Sequence, residues 1–296
     1  MSSPLRAFWW SPRRDPRTML SELRHNGAAW SRLALPIARA GTNHGDELSA
    51  LVLEEATGRR VQWAPLGRED VVAVGSILVP YLRHGGTGRI WGTGVHTSEI
   101  SGPDAARIAG RVLAIRGPHA RAALGLPDNT PLGDPGLIVR AVPRRRRARA
   151  GTVLVTHFLS YRSASERSRI RDARAAGIRV LPPTLAPRNM IDEIASADHV
   201  LSAGMHGVIL AHALRTPATL VSLRTPHPAH VAFKYRDYLH SVGLPARAAS
   251  WSSALDPAER RALLERAATE VECIDARVDA LVSGLLAAAA PLRSGH

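Results

Sequence analysis

From Thr152 to Leu223 the chain alternates short apolar runs with helical patterns, and this alternation limits the folds open to it. TVLVTHF reads as strand, SERSRIRDARAAG as helix, IRVLPP as strand and RNMIDEIASA as helix. HVLS is again strand, SAGMHGVILAHALRTP (Ser202 to Pro217) is a turn feeding a helix, and ATLVSL is strand. Strand and helix in strict succession are the signature of a parallel α/β layer.

The first half repeats the theme less regularly. After an N-terminal segment read as irregular, LALPIAR at Leu33 to Arg39 has the look of a buried strand. In AGTNHGDELSALVLEEATG, Gly41, Asn43 and Gly45 make a polar turn into a helix whose first turn carries Asp46 and Glu47. There acidic side chains oppose the positive helix end, so Asp46 is either a cap or a general base. DVVAVGSILVPYL stops at Gly75-Ser76, RIWGTGVH at Gly92-Thr93-Gly94, and RVLAIRGPHARAALG at Ile115, just before Arg116. In an open parallel sheet such strand ends lie together and line a crevice. An arginine there is a bidentate clamp for carboxylate or phosphate; the competing reading is an interdomain salt bridge. Asp134, in Gly133-Asp134-Pro135, reads as fixing a tight turn.

The turn at Ser202 carries the strongest chemical signal. A strand that ends in small residues and runs directly into a helix points unpaired N–H groups outward, where they suit an anion. His206 stands at that helix start. An imidazole beside a helix N-terminus tends toward its neutral form, while a bound anion pulls the other way, so His206 is the leading proton carrier. The alternative is a histidine that only caps or packs.

Charge agrees with an anionic partner. There are 39 Lys and Arg against 25 Asp and Glu, a formal net charge of +14, and Lys234 is the only lysine. Arg144 to Arg147 with Arg149, between Pro143 and Gly151, read as an exposed linker. The single cysteine, Cys273, excludes an intrachain disulfide and a cysteine-based zinc cluster. No signal-peptide pattern and no apolar tract long enough to span a bilayer are seen, so the expectation is a cytoplasmic protein without a metal. The chain divides into 1–143, the linker 144–151, 152–250 and a helical tail at 251–296 that begins near Asp256-Pro257.

These motifs together and in this order resemble the polysaccharide pyruvyl transferase family. The carriers are NHGDEL at Asn43 to Leu48, VQWAP at Val61 to Pro65, VAVGSIL at Val72 to Leu78 and WGTGVH at Trp91 to His96. They continue with IRGPHAR at Ile115 to Arg121, LGDPGLI at Leu132 to Ile138, MHGVILAHALRTP at Met205 to Pro217 and FKYRDYLHSVG at Phe233 to Gly243. The resemblance implies two Rossmann-like α/β domains arranged as in GT-B glycosyltransferases, the N-terminal one on the acceptor side and the C-terminal one on the donor side. It implies phosphoenolpyruvate as donor, a sugar or polysaccharide precursor with two hydroxyls as acceptor, and no cofactor. Arg116 and His206 fall on the family's functional arginine and histidine. Ser202, Gly207 and Lys234 join them around the donor, and Asn43, Asp46, Ser76, Thr93 and Gly94 line the acceptor side of the cleft. Some members have an arginine where this chain has Gly204, which leaves part of that clamp to Lys234 or Arg236.

A lipid-linked acceptor would add a peripheral station at the inner face of the membrane, held by the arginine run. Two other functions compete. A nucleotide-sugar glycosyltransferase on the same architecture needs an acid for the ribose, and the stretch after Met205 offers none before Asp237. A module binding nucleic acid or another anionic polymer is disfavoured, because the arginines are scattered and no recognition motif accompanies them.

Overall fold

The computed structural model describes residues 3–33, 41–97, 99–144, 148–224 and 231–294. Among these the strands form two all-parallel sheets. The first contains β1 (Leu5–Phe8), β2 (Val61–Trp63), β3 (Val71–Val72), β4 (Arg89–Trp91) and β5 (Val112–Ala114), in the order β2-β1-β3-β4-β5. The second contains β6 (Thr152–Val155), β7 (Arg179–Leu181), β8 (His199–Ser202) and β9 (Ala218–Leu220), in the order β7-β6-β8-β9.

Helices connect and cover the strands. In the first half they are α1 (Pro16–Leu33), α2 (His44–Thr57), α3 (Leu78–Arg83), α4 (Gly102–Ala109) and α5 (Pro118–Ala123). In the second they are α6 (Ala164–Ala175), α7 (Pro187–Ala195), α8 (Met205–Ala213) and α9 (Phe233–Ser241), followed by α10 (Trp251–Leu255), α11 (Pro257–Ala288) and α12 (Ala290–Arg293). The strands are short, and their burial is complete in Val71, Val72, Val153, Leu154, Val155, Val200 and Leu201. This is why apolar runs without alternation marked them in the sequence.

Both strand orders reverse direction once, between β1 and β3 in the first sheet and between β6 and β8 in the second. At such a switch point the connections leave to opposite sides and open a crevice beyond the strands' carboxyl ends.

The N-terminal segment departs from the irregular reading. Leu5 and Ala7 are buried, and β1 pairs with β2 on one side and β3 on the other. A four-residue strand made by long-range pairing leaves little local pattern. Of the expected strand at Leu33 to Arg39, Leu33 is the last residue of α1, where its side chain is buried beside Trp30, and residues 34–39 lie outside the described ones. Of the arginine run, Arg144 and Arg149 are exposed and residues 145–147 lie outside the description.

The tail forms α10, α11 and α12. Asp256 caps α11 by accepting from the N–H groups of Ala258 (3.0 Å) and Glu259 (2.9 Å), as the Asp-Pro pair predicts. The 32-residue α11 then packs against α8 and β9 and crosses to the first sheet, where Trp91 Nε1 donates to Leu285 O at 2.9 Å. Among the described residues no helix is long and apolar enough to cross a membrane.

Candidate active site

The two crevices face one another. Between them lies a cavity of about 350 Å³, walled by Phe8 at the end of β1 and Trp10 beyond it, Gly75 and Ser76 after β3, Thr156 and His157 after β6, and Gly204 to His206 after β8. The start of α2 (Asn43, His44, Asp46), His96, Leu159, Pro183 and Lys234 add to it.

Two helix N-termini enter this space. Asn43 caps α2, its Oδ1 accepting from Gly45 N–H at 3.1 Å. Gly204 occupies the cap position of α8 with no side chain to satisfy the first turn, so the N–H groups of Met205, His206 and Gly207 have no intrahelical acceptor. The two helix starts touch: a Cβ on Gly45 would fall 2.0 Å from His206 Nδ1, so only glycine lets α2 lie against that ring. The Asp46 carboxylate similarly reaches the turn after β3, where Gly75 has φ +103° and a Cβ would lie 3.0 Å from Oδ1.

Among the described residues the ionisable groups on this wall have no ion-pair partner; His44 is buried, and Asp46, His157, His206 and Lys234 are partly buried. Burial raises the Asp46 pKa to about 7 against a smaller opposing pull from Lys234. The Lys234 pKa is lowered by burial and by Arg116, with Asp46 opposing. Its ammonium sits 5.0 Å from the Tyr235 ring centroid. Burial lowers His44 and His157 to about 4. It drives His206 well below its ordinary value, helped by the proximity of His44, Lys234 and Arg116. His44 Nε2 and His206 Nε2 are closed off from solvent and have no hydrogen-bond partner. Near neutral pH the wall therefore holds uncharged imidazoles, a half-protonated carboxyl, one ammonium and two helix starts. That set can receive an anion and exchange protons with it. Among the described residues no group of three or more His, Cys, Asp or Glu is placed to hold a metal ion.

Arg116 stands behind this wall, not on it. It is completely buried, and its guanidinium donates from Nε to Asp237 Oδ2 (3.1 Å), from Nη1 to Ser76 Oγ (2.8 Å) and from Nη2 to Val95 O (2.9 Å). Asp237 also accepts from Ala120 N–H at 2.9 Å, so the pair ties the start of α5 to α9. The expected anion clamp gives way to the competing salt bridge, because the guanidinium is fully buried against Asp237, Ser76 and Val95 and does not line the cavity. Four more expected residues lie behind the surface. Thr93 is buried, donating to Gly75 O at 2.6 Å, and Gly94 N–H donates to the same carbonyl at 3.0 Å. Ser202 is buried, and its hydroxyl donates to Gly204 O at 2.6 Å. Gly207 is also buried, packed on Ser202, and lies outside the cavity lining. Asn43, Asp46, Ser76, His206 and Lys234 do line the cavity. Arg236 is exposed and lies outside that lining.

Asp134 accepts from Gly136 N–H at 2.9 Å and caps the 3₁₀ turn at Pro135–Arg140, the turn-fixing role read from its sequence.

His44, His96 and His157 were not singled out by the sequence. His157 follows a strand, as the other wall residues do, but no small-residue turn flags it. A second cavity of about 660 Å³ adjoins the first and shares His157, Leu159 and Lys234 with it; Glu166 and Tyr235 are on its wall.

No family model matches the chain. Over 138 residues, 46% of its length, it is 29% identical to the succinoglycan biosynthesis protein ExoV of Rhizobium meliloti (strain 1021). It spans 42% of that protein. The chain is thus distantly similar to a bacterial polysaccharide biosynthesis protein over less than half of either partner.

Among solved structures, the calicheamicin glycosyltransferase CalG4 overlaps with a TM-score of 0.40 at 15% identity, covering 84% of this chain and 75% of that one. The glycotransferase of kitacinnamycin gives 0.42 at 12%, covering 84% and 96%. The glycosyltransferase SnogD from Streptomyces nogalater gives 0.27 at 14%, covering 87% and 84%. The two-sheet architecture rests on the chain's own strand pairing.

Proposed function

We propose that the chain transfers pyruvate from phosphoenolpyruvate to two hydroxyls of a sugar residue in a polysaccharide or its precursor, forming a cyclic ketal and releasing phosphate. One observation carries the reading. Both switch-point crevices, two helix starts, Lys234, His206 and a carboxyl with a pKa of about 7 meet in a single cavity. The donor has two anionic ends and needs a proton at carbon, and this wall supplies groups for each. The likeness to a succinoglycan biosynthesis protein supports a polysaccharide context.

In the chemistry we assign, Lys234 and the α8 N–H groups hold the donor's anionic groups. The bound charge raises the His206 pKa, and His206 becomes an acid. One acceptor hydroxyl adds to C2 of the enol phosphate, losing its proton to a base on the wall, while His206 protonates C3. The C2–O bond to phosphate then breaks, and the second hydroxyl adds to the resulting oxocarbenium carbon. Its proton returns to His206, and the proton held by the wall base leaves with phosphate. Asp46, at the acceptor side, orients the hydroxyls.

A second reading has its own support. The 660 Å³ cavity is large enough for a base and ribose, and the fold brings Glu166 from α6 to its wall, supplying an acid that the stretch after Met205 lacks. A nucleotide-sugar glycosyltransferase would use that cavity for its donor.

Thermal-shift titrations with phosphoenolpyruvate, UDP and inorganic phosphate separate the two. A shift with phosphoenolpyruvate that is lost in Lys234→Met is the expected result. A shift with UDP alone overturns pyruvyl transfer in favour of glycosyl transfer.

A further inference from the structure

Ser76 stands between the buried ion pair and the cavity. Behind it, Arg116 Nη1 donates to its Oγ at 2.8 Å, and Arg116 itself is completely buried. In front of it lies the cavity, which Ser76 lines and where it is partly exposed. A hydroxyl oxygen that accepts from a guanidinium turns its own hydrogen away from that cation, and the polarised O–H is a stronger donor for it. The side away from Arg116 is the cavity side. Among the described residues nothing accepts from this O–H, and nothing accepts from the Ser76 backbone N–H.

The charge behind Ser76 is felt along the wall. Burial lowers the pKa of Lys234 and of His206, and the Arg116 guanidinium lowers both further. Asp237 offsets the opposite edge of the guanidinium, accepting from Nε at 3.1 Å. Asp46 approaches the turn at Gly75, but burial raises its pKa to about 7, so near neutral pH it carries only part of a negative charge there.

We propose that the Ser76 hydroxyl binds the carboxylate of the enol phosphate donor, and that Arg116 is a positioning residue acting through it. The proposal rests on the pyruvyl-transfer reading for the identity of the donor. The two anionic ends of that donor differ in charge: the phosphate suits Lys234 and the start of α8, and the singly charged carboxylate is left to an uncharged donor group. Asp237, Ser76 and Val95 together hold the guanidinium, so the hydroxyl is aimed before the ligand arrives and need not reorganise when it does. A strand-end arginine thus serves anion binding from behind the wall, without touching the anion.

Vinyl phosphate, which is the donor without its carboxylate, isolates the contact. In calorimetric titration the unmutated protein should bind phosphoenolpyruvate at least about 10-fold more tightly than vinyl phosphate. Equal affinities overturn the proposal without any variant having to fold. Ser76→Ala should weaken phosphoenolpyruvate about 10-fold and leave vinyl phosphate within about twofold, so that the two ligands become nearly equivalent. Unchanged phosphoenolpyruvate binding, or equal weakening of both ligands, also overturns it.

Arg116→Lys keeps the charge but not the fork, and it should reduce the preference for phosphoenolpyruvate over vinyl phosphate in the same way. Weakening of both ligands alike would make Arg116 structural only and remove its part. Failure of the proposal alone leaves both organic phosphates bound more tightly than inorganic phosphate, with no preference between them. Loss of the parent reading leaves neither bound more tightly than inorganic phosphate, while UDP binds.

Discussion

Two clusters of buried charge lie on either side of the same wall, and they are finished in opposite ways. Around Arg116 and Asp237 the fork and the carboxylate meet Ser76, Val95 and Ala120, and both side chains are completely buried. Around His206 the rings of His44 and His206 keep unpartnered nitrogens, and the Asp46 pKa is raised to about 7 by burial. A satisfied cluster holds two halves of a molecule in register. An unsatisfied one is costly to fold and retains free energy that a ligand can recover.

Breaking the latch should have the largest effect. Arg116→Met leaves the Asp237 carboxylate buried without its cation, and the expected loss is about 3–5 kcal/mol in urea unfolding. If stability held and only phosphoenolpyruvate binding fell, Arg116 would belong with the cavity after all. On the other side of the wall, His206→Gln should cost about 10²-fold or more in turnover with the melting temperature nearly unchanged. Near-normal turnover of the purified variant would remove His206 from the chemistry.

The pH dependence sharpens the contrast further. Asp46 is raised from 3.8 to about 7, so its contribution to stability is full below pH 3.8 and is lost as pH rises through 7. Asp46→Asn should therefore raise the melting temperature by about 2–4 °C at pH 8 and by roughly a third of that at pH 5. An equal change at both values would place the carboxyl in water.

The smallest effect concerns the imidazoles. His44 and His157 are lowered from 6.5 to about 4, so stability is full above pH 6.5 and is lost as pH falls toward 4. An anion favours the charged rings, so inorganic phosphate should give a larger thermal shift at pH 5.5 than at pH 7.5. A shift independent of pH would mean that the imidazoles do not face the anion.

The same contrast separates what was legible in the sequence from what was not. Gly75-Ser76, Gly92-Thr93-Gly94 and Ser202 to Gly204 all follow strands, because a strand end that turns tightly needs small residues there. Local composition therefore located the strand ends. Which of those residues face the cavity depends on how far each turn is buried: Thr93 and Ser202 close their own turns, whereas Ser76 reaches the wall. Arg116 was legible as a strand-end arginine, but its partner Asp237 lies 121 residues away, and nothing local distinguishes a clamp from a latch. His44 and His157 are held in the wall only when Pro183 O and Leu159 N–H are in place, and β1 in its sheet only when β2 and β3 flank it.

The helix α11 has a consequence for how the molecule comes apart. It packs on β9 and α8 at one end of its course and meets β5 and the Trp91 indole at the other, so neither sheet keeps its cover once the helix detaches. The two sheets should then behave as one cooperative unit, with a single melting transition and matched slow hydrogen exchange in β4 and β8. A ligand seated between them protects amides in both.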